Sequence, residues 1–101
     1  MFLITYTYKV PKRKIKNYIT LQKTVKAIYM EAGCLGYEVY KKEGKENYWM
    51  EINKFKDKKH FEKARKKVDQ NPEIGKLFEK FCSIIDIKKN PVVTEKYKQR
   101  L

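Results

Sequence analysis

The sequence is poor in the residue types that build metal and nucleophilic sites. Among its 101 residues are one histidine, His60, and two cysteines, Cys34 and Cys82, without CxxC spacing. This inventory is too small for a zinc site, and we expect neither a metal nor a cofactor. The two thiols are either free and buried or joined in one disulfide, and the sequence leaves both open. No Ser/His/Asp set, glycine-rich phosphate loop or carboxylate pair at useful spacing occurs.

Long apolar runs are also missing. No stretch approaches the roughly 18 apolar residues of a membrane span. The run from Phe2 to Ile4 meets Thr5 too early for the hydrophobic region of a signal peptide. We therefore expect a soluble, cytoplasmic protein with no membrane partner. The chain is long enough for a single domain only.

The charge is strongly basic, with 25 Lys and Arg against 12 Asp and Glu. This balance favours encounters with polyanions, so nucleic-acid binding is one hypothesis, with Tyr40, Tyr48 and Tyr97 as stacking candidates beside lysines. The Lys/Arg-Gly-Phe/Tyr signature of ferredoxin-like RNA binders is absent, however. A solvated charged surface is the simpler interpretation, and a composition rich in Lys, Glu and Ile is typical of thermophile proteins.

The apolar periodicity predicts a ferredoxin-like protomer of the α+β class, with element order β-α-β-β-α-β. It would have a four-stranded antiparallel sheet with two helices on one face. The predicted elements are a strand Met1–Val10, a helix Lys12–Ala32 stopped by Gly33, strands Leu35–Lys42 and Asn47–Phe55 joined as a hairpin, a helix capped by Asp57 that restarts at Asn71-Pro72-Glu73, and a strand Ser83–Lys88.

The domain is predicted to span residues 1–89, with residues 90–101 as a C-terminal extension. Within the extension, residues 92–97 would form an edge strand or an arm that reaches a partner protomer. A partner is expected because the strands are apolar on both faces. In the predicted strand Asn47–Phe55, for example, Met50 and Ile52 would face one side of the sheet, and Trp49 and Phe55 would face the other. Two helices cover only one face, so we expect a homodimer that buries the second face.

Three segments of the sequence form a recognisable set: Glu31-Ala32-Gly33-Cys34-Leu35-Gly36-Tyr37 after the long helix, Trp49 to Phe55, and Asp57 through Phe61-Glu62. Together they resemble the antibiotic biosynthesis monooxygenase family of dimeric α+β barrels, and the similarity covers about residues 1–88. The resemblance implies two protomers packed sheet against sheet, each with a pocket between its helices and its sheet. Members of the family include cofactor-free oxygenases of aromatic polyketides and quinols, and haem-degrading enzymes.

The resemblance argues against haem chemistry. Haem-degrading members carry an Asn, a Trp and an axial His at motif positions that fall near Tyr6, Phe55 and Phe78 here, so all three are replaced. His60 lies one turn too early for that axial position. The activity implied is therefore cofactor-free monooxygenation of a small phenol or quinol.

The predicted ligand pocket is aromatic, with one amide as its polar anchor. Its predicted wall consists of Tyr6, Trp49, Phe55, Phe61 and Phe78, and Asn53 is the predicted catalytic residue, stabilising the substrate anion. The alternative is that the rings only fill the core, which would leave a non-catalytic dimeric module that binds ligands or partners. His60 is expected to be a solvent-facing neighbour of the Asp57 cap and not a general base.

Overall fold

The computed structural model describes residues 1–101 and has the predicted α+β fold. Its elements are β1 (Phe2–Lys9), a 3-10 turn (Lys12–Lys14), α1 (Ile15–Glu31), β2 (Gly36–Lys41), β3 (Tyr48–Phe55), α2 (Lys58–Asp69), α3 (Ile74–Ile85) and β4 (Val93–Lys98). The strands form one antiparallel sheet in the order β2-β3-β1-β4. The central pair, β1 and β3, carries the residues that matter for the site.

The predicted fourth strand, Ser83–Lys88, is wrong. α3 continues to Ile85, and Asp86 then takes a left-handed conformation that ends it. The β-branched residues in this run favoured a strand. However, Leu77, Phe81 and Ile85 recur every four residues and continue the apolar stripe of the helix. The side chain of Ile85 is fully buried beside the tyrosines of β1 and α1. Burial on a helix face has overridden β propensity.

The fourth strand is instead β4, inside the segment predicted as an extension. It pairs along the free side of β1, with Leu3 opposite Tyr97 and Thr7 opposite Val93. The segment therefore completes the sheet of its own chain. A contact between β4 and a partner protomer stays a prediction.

Two predicted helix ends are confirmed, the stop at Gly33 and the cap at Asp57, whereas α3 begins only at Ile74, after the predicted restart at Asn71-Pro72-Glu73. α1 ends before Gly33, whose φ of 111° lies in the region that favours glycine. The Asp57 carboxylate accepts the backbone N–H of His60 at 2.8 Å and caps α2. Both cysteines are free, and Cys34 is buried in the core. A membrane crossing would need a longer and more apolar helix than any present.

The sheet has two unlike faces. Its inner face packs against the helices through Phe2, Ile4 and Phe55. The opposite, outer face carries Leu3, Thr5 and Ile52, and no helix covers it, since all three helices pack on the inner side. The strands are thus apolar on both sides, as the sequence indicated.

Candidate active site

A cavity of about 640 Å³ lies between the inner face of the sheet and the helices. β1 supplies Ile4, Tyr6 and Tyr8 to its wall, and α2 and α3 supply Phe61, Leu77 and Phe81. The wall is mostly apolar and aromatic. Its size and composition are those of a small-molecule site.

A buried carboxylate, Glu51, lies in the wall of this cavity. Side chains alternate along β3, so Glu51 shares the inner face with Trp49, Asn53 and Phe55, and it lies opposite Tyr6 of β1 in the sheet. Only 8% of Glu51 is exposed. A carboxylate this deep must be hydrogen-bonded to be tolerated.

Three donors satisfy the Glu51 carboxylate. Oε1 accepts the Gln22 amide at 3.2 Å and the Tyr8 hydroxyl at 3.3 Å. Oε2 accepts the Asn53 amide at 3.2 Å. The Tyr37 hydroxyl donates to the side-chain oxygen of Gln22 and so fixes the orientation of that amide. We call these five residues the Glu51 cluster.

One turn of α1 supports the cluster from the helix side. Tyr18 and Gln22 are four residues apart and both are buried against the sheet. The Tyr18 hydroxyl is hydrogen-bonded to the Tyr8 hydroxyl, and the Gln22 amide also donates to Tyr8 at 3.1 Å. The two rings meet edge to face, which holds Tyr8 in place.

Burial raises the pKa of Glu51 above its ordinary value, and the hydrogen bonds from Asn53 and Gln22 oppose only part of that rise. Burial, followed by the negative charge of Glu51, also raises the pKa of Tyr8 and of Tyr37. Both tyrosines therefore remain neutral hydroxyl donors at neutral pH. Glu51 is then the member of the cluster that can exchange a proton with a bound ligand.

The predicted pocket residues separate into two groups. Tyr6, Phe61 and Phe78 line the cavity, and Phe78 is 60% exposed. Phe55 lies in the core below, with its ring centre 5.2 Å from that of Phe61. Trp49 packs edge to face on the Tyr18 ring at 5.3 Å, outside the cavity wall.

Asn53, the predicted catalytic residue, lies behind Glu51. It is 1% exposed, its amide nitrogen is held by Glu51, and its side-chain oxygen has no hydrogen-bond partner. His60 lies outside the cavity, where its ring nitrogen accepts the backbone N–H of Lys56 at 2.9 Å.

The carboxylate at the centre of the site was not predicted from the sequence, and neither were Gln22, Tyr8 and Tyr37. A signal for Glu51 was available. Glu51 lies on the same face of β3 as Trp49 and Asn53, which were predicted to line a pocket on the helix side of the sheet. An acid on that face has to be buried, and buried acids are rare enough to be informative. Gln22, among the polar positions of a long helix, gave no comparable signal.

No protein-family profile and no curated protein matches the chain. Solved structures do match over almost its full length. SnoaB, a cofactor-independent oxygenase from Streptomyces nogalater, has a TM-score of 0.76 at 11% identity, with 99% of this chain and 93% of that chain covered. A putative antibiotic biosynthesis monooxygenase from Deinococcus radiodurans has a TM-score of 0.73 at 13% identity, with 100% and 94% covered.

A third similar structure, protein Atu4242 from Agrobacterium tumefaciens, has a TM-score of 0.75 at 18% identity, with 100% of this chain and 96% of that chain covered. All three identities are low, so what is shared is the fold. The resemblance noted in the sequence is confirmed at that level: the chain has the fold of the antibiotic biosynthesis monooxygenase-like proteins.

Proposed function

We propose that the protein is a cofactor-independent monooxygenase that acts on a small phenol or quinol. The observation that carries the proposal is the buried Glu51 carboxylate, which faces an aromatic cavity and has a raised pKa. A base and an apolar binding site are the two things that this chemistry requires of a protein, and the cavity offers both. The fold shared with SnoaB supports the same class of reaction.

In the proposed reaction, the flat substrate binds among Tyr6, Phe61 and Phe81 with its hydroxyl at Glu51. Glu51 takes the phenolic proton. A phenol has an ordinary pKa of about 10. Raising the pKa of the Glu51 carboxyl above its usual range therefore reduces the difference between the two pKa values and makes the proton transfer less unfavourable. The substrate anion then supplies an electron to O₂. One oxygen atom enters the product, and the other leaves as water with two hydrogens from the substrate.

The rest of the Glu51 cluster fixes the position of the base and stabilises its negative charge through hydrogen bonds. Gln22 and Tyr8 donate to Oε1, so they stabilise the carboxylate before proton transfer and orient the carboxyl afterwards. In this proposal Asn53 is a positioning residue that acts through Oε2 of Glu51, and it need not touch the substrate anion. A polar network of this kind gives a fixed base in a low-dielectric site.

The proposal includes a homodimer formed through the outer face of the sheet. Leu3, Ile52 and Met50 lie there without a covering helix, and burying such a face against its own copy gives a closed twofold assembly. The cavity lies on the opposite side of the sheet and would stay accessible in the dimer. Light scattering should return twice the 12.2 kDa chain mass. A particle of a single chain's mass at micromolar concentration would remove the dimer from the proposal.

The activity is tested by oxygen uptake with a panel of hydroquinones and polycyclic phenols, without added flavin or metal. The native protein should consume O₂ with at least one of them, and Glu51→Gln should lose that turnover. Glu79→Gln, a matched change at an exposed position on α3, should not. Binding across the panel with no oxygen uptake would refute the enzyme and leave a ligand-binding module.

A further inference from the structure

We propose that the substrate of this cavity is an aromatic hydroxy acid and that Lys96 of β4 binds its carboxylate. The inference rests on the proposed function for the hydroxyl end of the substrate. It adds a second recognition group at the other end, which is found among the charged side chains of the cavity wall.

Four charged side chains line the cavity: Glu51, Arg65, Asp69 and Lys96. Arg65 and Asp69 form an ion pair one turn apart on α2, with Nε 3.6 Å from Oδ1. Glu51 is held by its own cluster. Lys96 is in neither ion pair of the structure, so it is the cation of the wall that remains free to meet an anion.

The register of β4 turns Lys96 toward the cavity. Lys96 lies opposite Ile4, a core residue of the inner face, whereas its neighbours Glu95 and Tyr97 lie opposite outer-face positions. Its Nζ is 5.6 Å from the ring centre of Phe61, which is also in the wall. The ammonium group is thus held over the aromatic surface on which the substrate would lie.

The separation between Lys96 and Glu51 suits a molecule of one or two rings. Glu51, Tyr6 and Thr94 lie in one row across β3, β1 and β4, and Lys96 is the next inner-face position along β4. Two strand spacings of about 4.8 Å and one two-residue step of about 6.8 Å place the two Cα atoms roughly 12 Å apart. Both side chains line the same cavity.

The two ends of the cavity therefore have opposite chemistry. A hydroxyl fits the proton acceptor Glu51, and an anion fits Lys96. Binding in the reverse orientation would bring the substrate carboxylate against Glu51, which is a repulsion between like charges in a buried site. Lys96 would thus increase affinity and also place the hydroxyl, and not the acid, at the base.

The test compares 6-hydroxy-2-naphthoate with its methyl ester, which has the same rings and hydroxyl but no charge. Calorimetric titration of the native protein should give at least tenfold tighter binding of the acid. Lys96→Met should reduce this preference to within twofold. Lys98→Met is the matched control because Lys98 is on the same strand and face but outside the cavity wall, and it should keep the tenfold preference. Circular dichroism checks that each variant is folded.

Equal binding of acid and ester by the native protein would overturn the inference, and so would an equal loss of preference in both lysine variants. Failure of the proposed function looks different: the acid would bind through Lys96, and neither compound would cause oxygen uptake. Conversely, Glu51-dependent turnover of neutral phenols that is unchanged in Lys96→Met, with no preference for the acid, would keep the oxygenase and refute the role of Lys96.

Discussion

Replacing Glu51 by Gln removes the charge at the centre of the site and keeps its shape. Two of the present hydrogen bonds, from Gln22 and Tyr8, need only an acceptor oxygen and survive. The third donor, the Asn53 amide, would face the new NH₂ group. Because the Asn53 side-chain oxygen has no partner, rotation of that amide lets its oxygen accept a hydrogen bond from the new NH₂ group instead. We therefore expect the variant to fold.

The variant should be more stable than the native protein at neutral and alkaline pH. A carboxyl whose folded pKa is raised binds its proton more tightly in the folded state. The stability it contributes is present below the unfolded pKa and is lost as pH rises through the folded pKa. Every pKa unit by which the folded value exceeds the unfolded one costs the ionised native protein about 1.4 kcal/mol, a cost that Gln does not have. At acid pH, where Glu51 is protonated in both states, the two proteins should converge.

Turnover should fall in the same variant by about 10²–10⁴, which is the usual contribution of a positioned general base. That loss corresponds to about 3–5 kcal/mol in the barrier. Urea unfolding between about pH 3 and pH 8 measures the stability on both sides of the ordinary carboxyl range, and an oxygen electrode measures the turnover, with Glu79→Gln as control. A variant that loses stability with rising pH as steeply as the native protein would refute the burial argument. Unchanged turnover would refute the base.

Three further changes test the fold and the assembly. Phe55→Ala should lower the free energy of unfolding by about 3–5 kcal/mol because the ring is 1% exposed and packs on Phe61, whereas Phe78→Ala, at an exposed position, should cost much less; denaturant titration compares them. Ile52→Glu on the outer face should give a monomer in light scattering and leave ligand affinity in the cavity unchanged; an intact dimer would contradict the sheet-on-sheet interface. Asp57→Ala should cost about 0.5–2 kcal/mol in thermal unfolding through loss of the α2 cap, and an unchanged melting temperature would contradict that cap.

Local rules were sufficient for most of the fold. Alternation in β1 and β3, the Asp57 cap and the stop at Gly33 depend on neighbouring residues in the sequence, so each could be predicted. The boundary between α3 and β4 could not. The run of isoleucines near the end of α3 favours a strand by propensity, and only packing against the tyrosines of β1 and α1 makes it helical.

The type of the site was predicted from the sequence, whereas its central residue was not, although the parity of Glu51 in β3 was a usable signal. The aromatic character of the pocket and the inner face of β3 follow from strand parity, and Tyr6, Phe61 and Phe78 do line the cavity. The Glu51 cluster joins β1, α1, β2 and β3 through hydrogen bonds between residues far apart in the chain. Such a network depends on tertiary geometry, and no spacing in the sequence encodes it. An edge strand at residues 92–97 was predicted, but its pairing with β1 of the same chain was not, since the six residues of β4 are all exposed and carry no burial pattern.

The most direct test of the central claim is an isotope experiment with ¹⁸O₂ and a hydroquinone or polycyclic phenol that the protein binds. Mass spectrometry of the product should show one ¹⁸O atom per turnover with the native protein, and labelled water should account for the other. The amount of ¹⁸O-labelled product formed in the same time should be about 10²–10⁴ lower with Glu51→Gln. A product with no ¹⁸O from the native protein, or equal yields of labelled product from the native protein and Glu51→Gln, would contradict an oxygenase that uses Glu51 as its base.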